Sequence, residues 1–317
     1  MRFVIYGAGA VGGVIGARLH EAGRDVTLVA RGAHLAAIRE RGLRLQTPDG
    51  ETAVRIPAVE RASELELEDE DVVICAVKSQ DTGAALGALA AVAPPALRVA
   101  CAQNGVENER AALRLFANVY GIHVMLPATH LEPGVVQASS APVTGLLDVG
   151  RYPSGADETA RELSAAFAAS TFDSRALADI MRWKHRKLIM NLGNAAEALI
   201  EPGPGQEEVA RRAEDEGEAC LRAAGIEFAS RDEDRARRAD LLRLRPVGGR
   251  ERAGGSSWQS LARGTGTIEA DFLNGEIVLL GRLHGVPTPV NEALQRSASR
   301  AAAARAAPGS LRADQFL

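Results

Sequence analysis

Two groups of residues in this chain have the types and spacing to carry chemistry. The first is Gly7-Ala8-Gly9-Ala10-Val11-Gly12, a Gly-x-Gly-x-x-Gly run that directly follows the apolar stretch 2–6. In such a run the first glycine permits a tight turn, the second lets the backbone approach a pyrophosphate, and the third lets helix and strand pack closely. The N-terminus of the helix that follows adds free N–H groups and the positive end of a dipole. The motif alone is weak, but a strand pattern precedes it, a helix pattern follows, and glycine recurs at Gly13 and Gly16. Dinucleotide binding is the expectation, against a glycine-rich turn with no ligand. The second strand then selects the dinucleotide. An NAD site places Asp or Glu at its end for the ribose 2′-hydroxyl. Here Val26-Thr27-Leu28-Val29 runs into Ala30-Arg31-Gly32 with no acid, and Asp25 precedes the strand rather than ending it. An arginine suits a 2′-phosphate, so NADPH is expected rather than NADH.

The second group lies far along the chain. Lys187 and Asn191 are four residues apart and share one face of a helix. An ammonium and an amide projecting together suit a carbonyl becoming an alcohol: the lysine protonates the developing alkoxide and the amide orients the oxygen. A general acid of this kind contributes about 10²–10⁴-fold. Arg182, Lys184, His185 and Arg186 crowd the same segment, so an exposed amphipathic face explains the pattern equally well, and Lys184 is the second candidate. Ser257 follows the glycine-rich stretch 248–255, near a helix start. It could hold an anion with free backbone N–H groups or simply be an N-cap. Glu269 could pair with Lys187, hydrogen-bond a product hydroxyl, or lie at the surface. Lys78 and Asn104 each follow a strand at the carboxyl edge, where ligands gather in open α/β sheets.

These residues need elements to position them. Residues 2–6 read as a buried strand, Val11, Ile15 and Leu19 as one helix face, and 26–29 as the next strand. This strand–helix–strand unit implies a parallel sheet with a right-handed crossover. The alternation continues with strands at 72–77, 97–102 and 119–124 and helices at 81–92 and 107–116. Between 134 and 149 the pattern suggests an antiparallel pair at the sheet edge. Beyond about residue 176 strand patterns vanish, and 178–200, 206–224, 232–243, 257–283 and 289–306 read as helices. The fold class expected is therefore α/β: a Rossmann-type parallel-sheet domain over 1–176 and an all-helical domain over 177–317.

Composition narrows the function further. The chain has 317 residues, 46% hydrophobic and 25% charged, which is ordinary for a soluble globular protein. A formal net charge of −4 argues against a nucleic-acid binder. The basic run Arg235-Ala236-Arg237-Arg238 has acids beside it and reads as a solvated helix face. Three cysteines cannot all pair and show no metal-ligand spacing. Cys75 and Cys101 lie in strand-like runs, as buried thiols of a reducing compartment do. The apolar start turns into glycines by residue 7, and no run of 18 apolar residues follows. A cytoplasmic protein without membrane or metal partners is expected.

The motifs in their order resemble the ketopantoate reductases. The likeness covers nearly the whole chain: the glycine run, Val-Ala-Arg31-Gly-x-His34, Val-Lys78, Gln103-Asn104-Gly105, Ala128-Thr-His-Leu-Glu-Pro-Gly134, Trp183…Lys187…Asn191, and Ser256-Ser257…Glu269…Asn274-Gly275. The resemblance implies NADPH-dependent reduction of a 2-keto acid, with 2-dehydropantoate as the substrate, in an interdomain cleft. It implies Lys187 as general acid, Glu269 beside it, Asn191 and Ser257 on the substrate, and Lys78 and Asn104 near cofactor or substrate. His123 and His130 are read as loop or packing residues, and Trp183 and Trp258 as core anchors. One departure stands out. The family pattern's second asparagine, four residues after the first and followed by proline, is Ala195 here, and the nearby amide is Asn194. The rival readings are a β-hydroxyacid or polyol-phosphate dehydrogenase and an NADPH-binding sensor without turnover. A homodimer is left open.

Overall fold

A computed structural model describes residues 1–317. Its strands are β1 (Phe3–Tyr6), β2 (Val26–Val29), β3 (Leu43–Thr47), β4 (Gly50–Val54), β5 (Ala58–Val59), β6 (Val72–Cys75), β7 (Arg98–Cys101), β8 (Asn118–Met125), β9 (Ala128–Thr129), β10 (Val135–Ala138), β11 (Gly145–Arg151) and β12 (Phe172–Asp173). The helices are α1 (Ala10–Glu21), α2 (Gly32–Arg41), α3 (Thr82–Ala90), α4 (Glu107–Leu113), α5 (Glu158–Ala168), α6 (Ile180–Asn191), α7 (Gly193–Leu199), α8 (Pro204–Ala223), α9 (Arg231–Arg238), α10 (Ser256–Ala262), α11 (Asn274–His284) and α12 (Pro289–Ala303).

The chain forms two compact units. One contains Met1–Gln103, Glu107–Met181 and Arg235–Arg252; the other contains Asn104–Val106, Arg182–Asp234 and Ala253–Leu317. Compared with the expected division at 176/177, the main crossing falls a few residues later, and two short segments change sides. Apolar periodicity does not report on such returns, because each segment keeps its own pattern whichever body it joins.

The first unit is built on a sheet ordered β12-β11-β8-β7-β6-β1-β2-β5. The strands from β5 to β8 run parallel, and β11 is antiparallel to β8. Side chains alternate across the sheet. Phe3 and Ile5 pack with Val14 and Ile15 of α1, while Val4 and Tyr6 pack on the other face with Leu86 and Leu89 of α3. Both faces are covered, so β1 and β6 are buried throughout and read as unbroken apolar runs. The order reverses at β1, with β2 on one side and β6 on the other. That is the switch point where open sheets bind ligands.

The antiparallel edge pair expected within 134–149 is not formed. β10 joins β9, β3 and β4 in a separate four-stranded sheet, whereas β11 pairs with β8. Two adjacent apolar runs do not reveal whether they pair with each other or with distant strands. The second unit is built of helices, with one isolated parallel bridge between Ile200 and Leu311, around a core that includes Leu188, Leu192, Leu199, Leu221, Ile277 and Leu294. The helix expected over 257–283 is broken into α10 and α11. Gly264 and Gly266 adopt φ of +61° and +79° between them, which a continuing helix cannot accommodate. No helix is long and apolar enough to cross a membrane.

A buried ion pair pins the returning segment 235–252 onto the first unit. Arg237 at the end of α9 donates to both Asp148 oxygens, from Nε at 2.8 Å and from Nη2 at 2.6 Å, and also meets Asp173 at 2.6 Å. Burial pushes the Asp148 carboxyl up, but the His123 ring at 3.6 Å and the Arg237 guanidinium outweigh it and hold the group below its ordinary value. A lowered folded-state value means the contribution to stability is complete above the unfolded carboxylate range, about pH 4, and is lost as pH falls through the folded value. Asp148→Ala leaves the buried guanidinium with Asp173 as its remaining carboxylate and should lower the unfolding free energy by about 2 kcal/mol at neutral pH, less than the loss for a wholly unpaired buried charge. Denaturant titrations at pH 7 and below pH 4 check this: the gap to the wild type should narrow in acid. An equal gap at both would show that the charge of Asp148 is not what holds the segment.

Candidate active site

The glycine run sits at the switch point, between β1 and α1. Gly7 has φ +104°, and a Cβ there would lie 2.8 Å from the Val77 nitrogen. A Cβ at Gly12 would run into the Gly7 carbonyl and lie 2.9 Å from the side chains of Ile5 and Ala76, so the helix lies directly against the turn that leaves β1 and against a side chain of the strand. Gly9 differs: nothing lies within 4 Å of where its Cβ would stand. Gly9 is also the N-cap of α1, with no side chain on the free N–H groups and no acid in the first turn. Ala8 is buried and Ala10 and Val11 are half-buried around this opening. A closed turn beside an open, positively polarised helix start fits a pyrophosphate.

Arg31 follows β2 as the extended residue before α2 and is exposed. Its guanidinium interacts with the Tyr6 hydroxyl: burial pushes that phenol up, and the arginine's charge pulls it down. Lys78 stands three residues beyond β6 and caps the start of the 3₁₀ turn Ser79–Asp81. The glycine run, Arg31 and Lys78 thus all lie at the carboxyl edge of the first unit's parallel strands.

The other expected residues belong to the second unit. Lys187 and Asn191 are both on α6, as the four-residue spacing implied. Lys187 is half-buried, whereas the second candidate, Lys184, is 3% exposed. Asn191 is buried, and its Nδ2 has no hydrogen-bond partner. A buried amide donor without an acceptor carries a desolvation cost that a bound oxygen would relieve. Asn194 is on α7. Glu269 is buried at the start of a 3₁₀ turn, Glu269–Phe272, and Asn104 precedes Gly105, where a Cβ would lie 3.0 Å from the Phe272 carbonyl. The asparagine loop and the glutamate turn are therefore packed together.

Ser257 is buried on α10, and a carboxylate of the chain itself meets the residue that caps the start of that helix. The Gly255 N–H donates to Glu197, at 3.0 Å to Oε1 and 3.2 Å to Oε2. Glu197 thus satisfies the N–H of the capping residue. It is Ser256 whose hydroxyl reaches Glu269, at 3.5 Å. Arg263 is near enough for its charge to interact with Glu269, although desolvation lowers the guanidinium from its ordinary value.

The comparisons with known proteins bear directly on this arrangement. A family model described as ketopantoate reductase PanE/ApbA matches residues 3–153, and its C-terminal counterpart matches 179–301. A 2-dehydropantoate 2-reductase of Halobacterium salinarum is 32% identical over 305 residues, 92% of this chain and 95% of that protein. The chain belongs to the ketopantoate reductase family. It is accordingly an oxidoreductase that uses a nicotinamide cofactor. A ketopantoate reductase of this family from Ralstonia eutropha JMP134 has a crystal structure that superposes with a TM-score of 0.80 at 30% identity, covering 96% of this chain and 99% of that one. A D-mandelate dehydrogenase complexed with NADH and anilino(oxo)acetate superposes with a TM-score of 0.81 at 22% identity, over 96% and 99% of the two chains. That second likeness is one of fold.

Several residues around these positions escape a reading of spacing. Glu197 is three residues after Asn194 on α7 and so on the same face, a signal that was there to use. Asn274 gave only a motif. Its buried Nδ2 donates to the Leu192 carbonyl at 3.1 Å, just past the end of α6, and to Asn291 Oδ1 at 2.9 Å. Asn291 Nδ2 in turn donates to the Ala213 carbonyl at 3.0 Å and to Glu216 at 2.8 Å. Glu216 also accepts the Val290 and Asn291 N–H groups at the start of α12, at 2.9 and 3.0 Å. One connected chain thereby ties α8, α11 and α12 to the end of the helix carrying Lys187 and Asn191. Asn274→Ala leaves two buried acceptors without this donor, and each such loss costs about 1–3 kcal/mol. Urea denaturation should show a drop of roughly 2–6 kcal/mol, the sum of the two losses; a variant as stable as the wild type would mean the network does not brace α6.

Proposed function

We propose that the chain reduces 2-dehydropantoate to pantoate with NADPH, and that Lys187 is the proton donor. The observation that carries this reading is the buried, unpartnered Nδ2 of Asn191 on the helix face it shares with Lys187. A bound NADPH supplies the hydride to the keto carbon. The residues of the chain do the rest. Asn191 Nδ2 donates a hydrogen bond to the ketone oxygen and holds it where negative charge develops. Lys187 Nζ passes its proton to that oxygen, so the alkoxide never stands free. Such charge-directed donors act most strongly where water is excluded. Glu269, buried and in reach of Ser256, stands as partner to the lysine and the new hydroxyl, and Ser257 and Asn194 complete the substrate shell. Among the cofactor residues, Arg31 holds the 2′-phosphate, the run from Gly7 to Gly12 holds the pyrophosphate, and Lys78 and Asn104 line the nicotinamide end.

Two measurements test the proposal. Following NADPH oxidation with 2-dehydropantoate and a panel of 2-keto acids, Lys187→Ala should lower kcat by about 10²–10⁴-fold while NADPH binding is retained. A preference for another keto acid would retain the chemistry and replace the substrate; full activity in the variant would remove Lys187 as the acid. Arg31→Ala should raise KM for NADPH by roughly ten- to a hundredfold, the value of a charge-assisted hydrogen bond, and leave KM for NADH nearly unchanged. Equal loss for both cofactors would mean that Arg31 does not read the phosphate.

A further inference from the structure

The motif Arg31-Gly32-Ala33-His34 contains a histidine that neither the chemistry nor the cofactor contacts above have used. Its ring lies between two backbone segments distant in sequence. The Gly134 N–H donates to His34 Nδ1 at 2.8 Å, and His34 Nε2 lies 2.7 Å from the Ala8 carbonyl oxygen. A backbone N–H can only donate, so Nδ1 must be the acceptor; the proton is then on Nε2, which donates to Ala8. The neutral ring, in this one tautomer, satisfies both bonds.

We propose that His34 is a positioning residue for dinucleotide binding, because its ring anchors the Ala8 carbonyl inside the glycine run to the Gly134 backbone. The Ala8 carbonyl and the Gly9 N–H belong to one planar trans peptide and point in opposite directions. Holding that carbonyl against His34 therefore aims the Gly9 N–H away from the ring. Gly9 is the position where the space beside the backbone is open and where a phosphate must approach. The anchor itself is close-packed. A Cβ at Gly134 would lie 2.8 Å from that of Ala37 on α2, and the His130 ring packs on His34 with centroids 4.2 Å apart. His130 is fixed in turn by a contact of 2.9 Å between Nδ1 and the Val135 carbonyl.

Protonation of His34 would turn Nδ1 into a second donor facing the Gly134 N–H and break the bridge. Desolvation lowers the group from its ordinary value, partly offset by the bond to Ala8. The bridge is thus intact at neutral pH and opens only in acid, below the usual histidine range near 6.5. His34 makes no ion pair. The titratable ring against it is His130, Glu132 lies on the same turn as Gly134, and Arg31 and Arg39 flank it along its own helix segment.

This inference rests on the reading that the glycine run holds NADPH, and the experiment separates the two. NADPH affinity is measured by fluorescence, alongside KM, kcat and Tm, for the wild type, His34→Ala and His34→Gln. Loss of both bonds in His34→Ala should raise Kd and KM for NADPH about tenfold, with kcat at saturation and KM for the keto acid within about twofold of the wild type. Glutamine can accept from Gly134 and donate to Ala8, and should recover most of the affinity. Between pH 8 and 5.5 the wild type should lose affinity more steeply than His34→Gln, since protonation of the cofactor phosphate is common to both. A folded His34→Ala that binds NADPH like the wild type overturns the inference. So does a glutamine variant as weak as alanine with the same pH profile as the wild type. A wild-type protein that binds no NADPH overturns the cofactor reading and this inference with it.

Discussion

The contact between Gly12 and the Gly7 carbonyl sets the distance from β1 to α1, and much of the first unit follows from it. With any side chain at Gly12 the helix would have to move away from the strand, because the obstruction is backbone and cannot give way. Close approach brings the helix start to the end of β1, at the one place where the strand order reverses. It also requires that β1 be buried on both faces, since α1 covers one and the layer with α3 covers the other. A buried parallel strand has every backbone group in the ladder and every side chain in a core. The loop leaving it therefore has little freedom, and small additional contacts, such as that of His34 with Ala8, decide where its N–H groups point.

The second unit meets a different constraint. Hydrophobic burial of Leu188, Leu192 and Leu199 draws α6 and α7 into the core but is non-directional. It fixes that these helices are packed, not where Asn191 or Lys187 points. Direction comes from the buried amides. Asn274 and Asn291 can be satisfied only if Leu192, Ala213 and Glu216 stand at definite distances, and buried polar networks specify one arrangement for that reason. The same logic applies to Arg237 and Asp148 in the first unit, where a paired charge fixes a segment that its own sequence leaves undecided.

How much of this was legible in the sequence depends on the range of the interaction. Strands such as Val72–Cys75 and helices such as α6 announce themselves, because their periodicity is local. The i, i+4 spacing of Lys187 and Asn191 is likewise a local fact, and so is the glycine run. The four-stranded sheet was not legible: β9 has two residues, and β4 is exposed along most of its length, so neither has an apolar run to notice. The break between α10 and α11 was visible in principle in Gly264 and Gly266, yet the apolar pattern runs across it. Residues that act over long separations left the weakest signal. His34 meets Gly134 across 100 positions, Asn274 meets Leu192 across 82, and Glu197 meets Gly255 across 58. Nothing within a window of sequence encodes such pairs.

The same distinction accounts for Asn194. Read as a continuous α-helix, the chain lacks an amide four residues after Asn191, for position 195 is Ala195, which the structure buries in the apolar core. The helix is not continuous. Between α6 and α7 the Leu192 N–H bonds to the Ile189 carbonyl at 3.1 Å, an i→i−3 bond, while the Leu192 carbonyl accepts from Asn274. In a turn tightened to three residues, side chains at i and i+3 eclipse one another. A tightened turn at Leu192 therefore shifts the residues of α7 from the positions they would hold in an unbroken α-helix. Asn194 is half-buried, and Ala195 is part of the core. The departure from the family spacing thus falls where the helix is tightened at Leu192: the amide that follows Asn191 stands three residues on, while the fourth position is given to the apolar core.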